Sequence, residues 1–181
     1  MKKLLVTLAA VMVSVSSFAQ GTLIFNNRTQ TGDAPVTRPD GTGAGAGITA
    51  QLYLVGAGGA LTPLTPTTTF RTTSAAAAFF VTEINPFTIN GILPGQSATV
   101  RMRAWETAAG SYEAAVGTTF LSGESNDVTI PQLGGTPAGG APIPTPSLNG
   151  LQGFGLTAVP EPSTIALGVL GAAALLFRRR K

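Results

Sequence analysis

The stretch Ser97-Ala98-Thr99-Val100-Arg101-Met102-Arg103-Ala104-Trp105-Glu106 decides the fold. Small or apolar residues alternate with polar ones through it, and a β-strand turns successive side chains to opposite faces. Ala98, Val100, Met102 and Ala104 fall on one face, and Thr99, Arg101, Arg103 and Trp105 on the other. The same period runs through Ile48-Thr49-Ala50-Gln51-Leu52-Tyr53-Leu54-Val55, with Ile48, Ala50, Leu52 and Leu54 on one side. Shorter candidate strands lie at 22–26, 67–73, 77–82, 87–92, 116–121, 127–133 and 151–157. Turn-forming clusters separate them, among them Arg38-Pro39-Asp40-Gly41, Gly56-Ala57-Gly58-Gly59, Leu93-Pro94-Gly95 and Ser122-Gly123. Many short strands divided by such turns predict an all-β fold, an antiparallel β-sandwich or jelly-roll-like body. The Gly/Pro-rich stretch 134–147 reads as a long loop before the last strand, or as a linker toward the C-terminus.

Composition narrows the chemistry further. The chain of 181 residues has no Cys and no His, and only 10% of it is charged. Thiol nucleophiles, disulfides, zinc-thiolate sites and imidazole bases are excluded. Between Gln20 and Ala158 there is no Lys; the basic residues are Arg28, Arg38, Arg71, Arg101 and Arg103. The acids there are Asp33, Asp40, Glu83, Glu106, Glu113, Glu124 and Asp127, so this body carries a net charge of −2. The chain's overall +3 comes from its ends and gives no support for nucleic-acid binding.

The ends carry the clearest signals. Lys2 and Lys3 precede an apolar run from residue 4 to 15, then Ser16-Ser17-Phe18-Ala19-Gln20. A basic start, a short apolar core and small residues at 17 and 19 describe a secretory signal peptide over residues 1–19, cut by signal peptidase between Ala19 and Gln20. At the other end stand Val159-Pro160-Glu161-Pro162-Ser163-Thr164, an uncharged run over 165–177 and the cluster Arg178, Arg179, Arg180 and Lys181. The run, with Ile165, Leu167, Leu170, Leu175 and Phe177, predicts a single transmembrane helix. The cations after it act as a basic stop on the cytoplasmic side of the inner membrane. Pro160 and Pro162 favour extended backbone at Glu161.

This tail resembles the PEP-CTERM sorting signal: the motif at 159–164 (Val159, Pro160, Glu161, Pro162, Ser163, Thr164), the short span at 165–177 and the basic tail at 178–181 occur together. The resemblance implies recognition by an exosortase, a membrane-embedded cysteine protease-transpeptidase, in a Gram-negative bacterium. The product is expected at the cell-envelope surface or in the extracellular matrix, often beside exopolysaccharide. The body, residues 20–158, is similar to small secreted proteins common in Verrucomicrobia-type bacteria. The residues that carry this are Gly21-Thr22-Leu23-Ile24-Phe25-Asn26-Asn27-Arg28, Ala50-Gln51-Leu52-Tyr53, Val100-Arg101-Met102-Arg103-Ala104-Trp105-Glu106 and Gly150-Leu151-Gln152-Gly153-Phe154. That second resemblance implies no mechanism.

Within the body, serines lack a His or Lys base, and the acids are spread over turns, so no catalytic residue, cofactor or metal is expected. Gly45-Ala46-Gly47-Ile48-Thr49-Ala50 fits a loose dinucleotide pattern but precedes a strand instead of opening a helix. Asp33, Asp40, Glu124, Asn126 and Asp127 are hard oxygen ligands without a calcium-loop spacing, and ordinary turn and solvation roles are expected. Arg101, Arg103 and Trp105 share one strand face. On the solvent side they would form a patch for an anionic exopolysaccharide; otherwise Trp105 covers a core edge and the arginines pair with acids. A secreted non-enzymatic surface or matrix protein is the leading expectation, with a carbohydrate-binding module as the alternative.

Overall fold

The structure, a computed structural model, describes residues 20–159. The signal peptide expected at 1–19 and the Pro-Glu-Pro core, membrane helix and basic tail expected at 160–181 lie outside the described residues. Among the described residues no helix is long and apolar enough to cross a membrane.

The fold is all-β. Its centre is β5 (Ile48–Val55) beside β9 (Ala98–Glu106), paired antiparallel with Leu52 opposite Met102. β10 (Ser122–Ile130) closes one side of this sheet, and the short strands β6 (Leu61–Pro63) and β7 (Thr68–Thr69) share the other. Across the core lie β1 (Gly21–Phe25) paired with β8 (Ile84–Ile89), and β4 (Val36–Thr37) paired with β11 (Phe154–Gly155). A small outlying ribbon joins β2 (Arg28–Thr29) to β3 (Gly32–Asp33). On the β6/β7 side the short outer strands leave little free backbone to template pairing with another chain.

Both long alternating stretches form the strands expected of them, and their apolar faces meet the second layer. Leu23, Phe25, Phe87 and Ile89 pack with Ile48, Ala50, Leu52, Val100, Met102 and Ala104 in one buried cluster. Phe25 and Phe87 meet edge to face at 5.6 Å. Each of the larger side chains among them, Leu, Ile, Val, Met or Phe, stabilises the fold by roughly 1.5–3 kcal/mol on withdrawal from water.

Several local expectations are corrected. Residues 116–121 form no strand, and 77–82 hold a 3₁₀ turn at Ala77–Phe79 with a single bridge at Val81. Ser122-Gly123 is the start of β10, not a turn. The strand pairing is not purely antiparallel, since β11 runs parallel to β4 in a sheet of their own, while the main sheet is antiparallel throughout. The stretch 134–147 is packed loop: Gly134 bridges to Thr22, Gly135 to Ile143, and Ser147 to Ile24. Backbone hydrogen bonds to β1 tie down this segment despite its glycines and prolines.

β5 is buried on both faces, which alternation alone does not reveal. Its outer face carries Thr49, Gln51 and Tyr53. Over that face folds the four-residue helix α1 (Tyr112–Ala115), capped by Ser111, whose hydroxyl accepts from the Ala114 amide at 3.2 Å. Tyr53, Trp105, Tyr112 and Ala115 thereby form a second buried cluster on the far side of the sheet.

Candidate functional site

Two places could carry function: the charged outer face of β9 and β10, and the point where the chain leaves the body toward the C-terminal motif.

On the first, Arg101 and Arg103 share a face as the alternation predicts. A bulge in β10 determines what they meet. Glu124 pairs with Arg103 and Asp127 with Arg101, so Ser125 and Asn126 together oppose Met102. Residues three apart in a regular strand point to opposite faces. The extra residue brings Glu124 and Asp127 onto the same one. Arg101 then donates from Nε to Asp127 Oδ1 at 2.6 Å, from Nη2 to Asp127 Oδ2 at 3.1 Å, and from Nη1 to Glu124 Oε1 at 3.1 Å. Arg103 donates from Nε to Glu124 Oε2 at 2.9 Å and from Nη1 to Glu113 Oε1 at 3.3 Å. Its guanidinium lies 4.7 Å from the Tyr53 ring centre and 4.2 Å from that of Tyr112. Inside the bulge, the Ser125 hydroxyl accepts from the Met102 amide at 3.0 Å and satisfies a buried donor.

Of the two readings of Arg101, Arg103 and Trp105, this geometry matches the one in which Trp105 covers a core edge and the arginines pair with acids. Trp105 is only 3% exposed, because α1 and the turn before it fold over its ring. It offers no free face on which a sugar could stack. The arginines are engaged by acids and tyrosines, so a polyanion would have to displace both. The electrostatics follow from the contacts. The Arg101 hydrogen bonds hold the Asp127 carboxyl below its ordinary range, and Asp127 in turn raises Arg101. Burial, then the hydrogen bond to Glu113, pushes Tyr53 up to about 12, and burial raises Tyr112 as well. Tyr53 and Tyr112 anchor this cluster, and a sequence reading that counted aromatics without pairing them to Arg103 misses that role.

The remaining oxygen ligands are scattered. Asp33 pairs with Arg28 at 3.5 Å, and Asp40 accepts from the Thr42 amide and hydroxyl, which lowers its pKa. Asn126 bonds the Gly150 carbonyl and the Gln152 amide.

The exit is built from the start of β10 and the turn after α1. Leu156 is buried and donates its amide to the Thr37 carbonyl at 2.7 Å. Thr157 exchanges two hydrogen bonds with Ser122, both of 2.9 Å. The Val159 amide donates to the Thr118 carbonyl at 2.9 Å. Gly123 permits this docking, since a Cβ there would lie 2.7 Å from the Gly155 carbonyl oxygen. The backbone is thus fixed up to the residue before Pro160.

The comparison with known families bears on the C-terminal tail: residues 158–181 match the PEP-CTERM protein-sorting motif. The match supports an exosortase-processed, secreted protein that passes through a membrane-anchored intermediate. No curated protein and no solved structure matches the chain, so the likeness of the body to Verrucomicrobia-type proteins gains no support.

Proposed function

We propose that this is an exported, non-enzymatic surface or matrix protein of a Gram-negative envelope. Signal peptidase releases its N-terminus at Gln20. The 165–177 segment halts the chain in the inner membrane with Arg178, Arg179, Arg180 and Lys181 inside, and an exosortase then processes the motif Val159, Pro160, Glu161, Pro162 and Ser163. The single observation that carries the reading is the sorting motif at 158–181 behind a folded all-β body. Its apolar run of 13 residues is short against the ~20 a stable span needs, which suits a temporary anchor. The absence of His and Cys, and of Lys in the body, supports the non-enzymatic part.

The test replaces Pro160, Glu161 and Pro162 with alanine in a host with an active exosortase. Export should persist, while the full-length form accumulates in the inner membrane and the wild type is shortened and released. If wild type and variant run at the same mass in the same fraction, the tail is a plain anchor and the sorting reading fails.

A further inference from the structure

The sorting motif begins inside the folded body. Its match starts at residue 158, yet Ala158 is half-buried, Thr157 is paired with Ser122, and Val159 is held to Thr118. From Val159 to Ile165, where the apolar run starts, the chain covers at most about 20 Å even when fully extended. An enzyme that holds residues 160–164 in an extended conformation must therefore close against the body itself.

The surface it meets is the turn after α1. Val116 is 50% exposed and Val159 51%; among the described residues the one other large exposed hydrophobic is Leu93. Gly117, Thr118 and Thr119 are also exposed. No charged residue occurs from Ala114 to Gly123; Glu113 and Glu124, which bracket it, are both paired with Arg103, so the border carries no unpaired cation. Anionic headgroups attract basic segments, so a neutral face with charge-balanced borders favours a protein partner over a lipid surface. Leu93 belongs to the opposite end of the sheet. Its neighbour Gln96 accepts from the Leu133 amide beyond the far end of β10, whereas Ser122 at the near end holds Thr157.

We propose that Val116, Thr118, Thr119 and Val159 form a docking face for the exosortase, so that the folded body is part of what the enzyme recognises. This rests on the sorting reading above. Motif and face are presented as one surface, because the hydrogen bond from Val159 to Thr118 joins them.

The experiment follows conversion of the full chain by pulse-chase in an exosortase-bearing host. Val116→Glu puts an unpaired charge into the contact and should slow conversion about tenfold, as like charge or a desolvated charge at an interface does. A Gly/Ser spacer of about 12 residues between Val159 and Pro160, with a reach of about 20 Å, frees the body from the enzyme. In that background Val116→Glu should have no effect, and Leu93→Glu should have none in either. A photoreactive benzophenone side chain introduced at Thr119 should give an adduct with the exosortase. Wild-type rates for Val116→Glu in the unspaced chain, or adducts with lipid alone, overturn the docking face while leaving the sorting reading intact. A wild-type chain that is never shortened overturns both.

Discussion

Asn26 and Asn27 are neighbours of the same type with opposite fates. Asn27 is fully buried: its side chain donates to the Ala34 carbonyl at 2.8 Å and the Phe79 carbonyl at 3.0 Å, and accepts from the Val81 amide at 2.8 Å. Asn26 reaches out to Glu83 at 2.7 Å in solvent. Asn27→Ala strands buried backbone groups, each costing about 1–3 kcal/mol. The expected loss is on the order of 3 kcal/mol, or about 10 °C in Tm by thermal melting. Asn26→Ala should cost less than ~1 kcal/mol, and equal losses would remove the network from the account. The inward phase of Asn27 is legible, since Leu23 and Phe25 set the alternation it continues; Phe79 and Val81, two of its three partners and more than fifty residues away, are not. Tyr53 offers a second test. Its pKa is raised from the ordinary 10.0 to about 12, so the stability it contributes is complete below 10 and is lost as pH rises through about 12. Spectrophotometric titration of the exported protein should show tyrosinate appearing late and together with loss of the β signal. Ordinary tyrosine titration with the fold intact would contradict the buried hydrogen bond to Glu113.

At the scale of elements, the alternation that placed β5 and β9 says nothing about what covers the outer face of the sheet. Trp105 shares its face with Arg101 and Arg103, as read, but α1 is too short to show a helical period. Its burial of Trp105 therefore had no sequence signal beyond the Ser111 cap. Gly123 misled in the other direction. A Ser-Gly pair reads as a turn, yet the glycine sits in β10 to let 154–157 pack against it. The sorting tail, by contrast, was legible in full as a motif, because its chemistry lies in composition and order and needs no tertiary partner. Gly123→Val should force the docked segment away while the β5–β9 pairing survives, at an expected cost of about 1–3 kcal/mol for overpacking. Hydrogen exchange reads this directly: the amides of Leu156, Thr157 and Val159 should lose protection, while those of Gln51 and Arg103, which face each other between β5 and β9, keep it. Uniform loss across all five would mean that the segment and the sheet unfold as one unit.

At the scale of the whole molecule, the two termini of the described body, Gln20 and Val159, lie at opposite ends of the sheet. One residue past the expected cut, the Gly21 amide already donates to the Ile92 carbonyl at 2.7 Å, and a Cβ on Gly21 would lie 2.5 Å from Leu133 Cδ1. Gln20 is close to Gly135 and Pro94, at the far end of β10. The exit at Thr118 and Ser122 is at the near end, roughly 27 Å away at ~3.3 Å per strand residue. A chain held by its tail would then turn its new N-terminus away from the enzyme that reads the tail. An epitope inserted between Gln20 and Gly21 should accordingly leave tail processing unchanged, with cleavage still occurring before Gln20. The same epitope between Gly117 and Thr118, on the exit turn, should stop it. The measurement is the mass of the exported protein with each insertion, beside a circular dichroism spectrum to show that the β body has formed. A correctly folded chain whose N-terminal insertion blocks tail processing would place both ends on one side and refute this orientation.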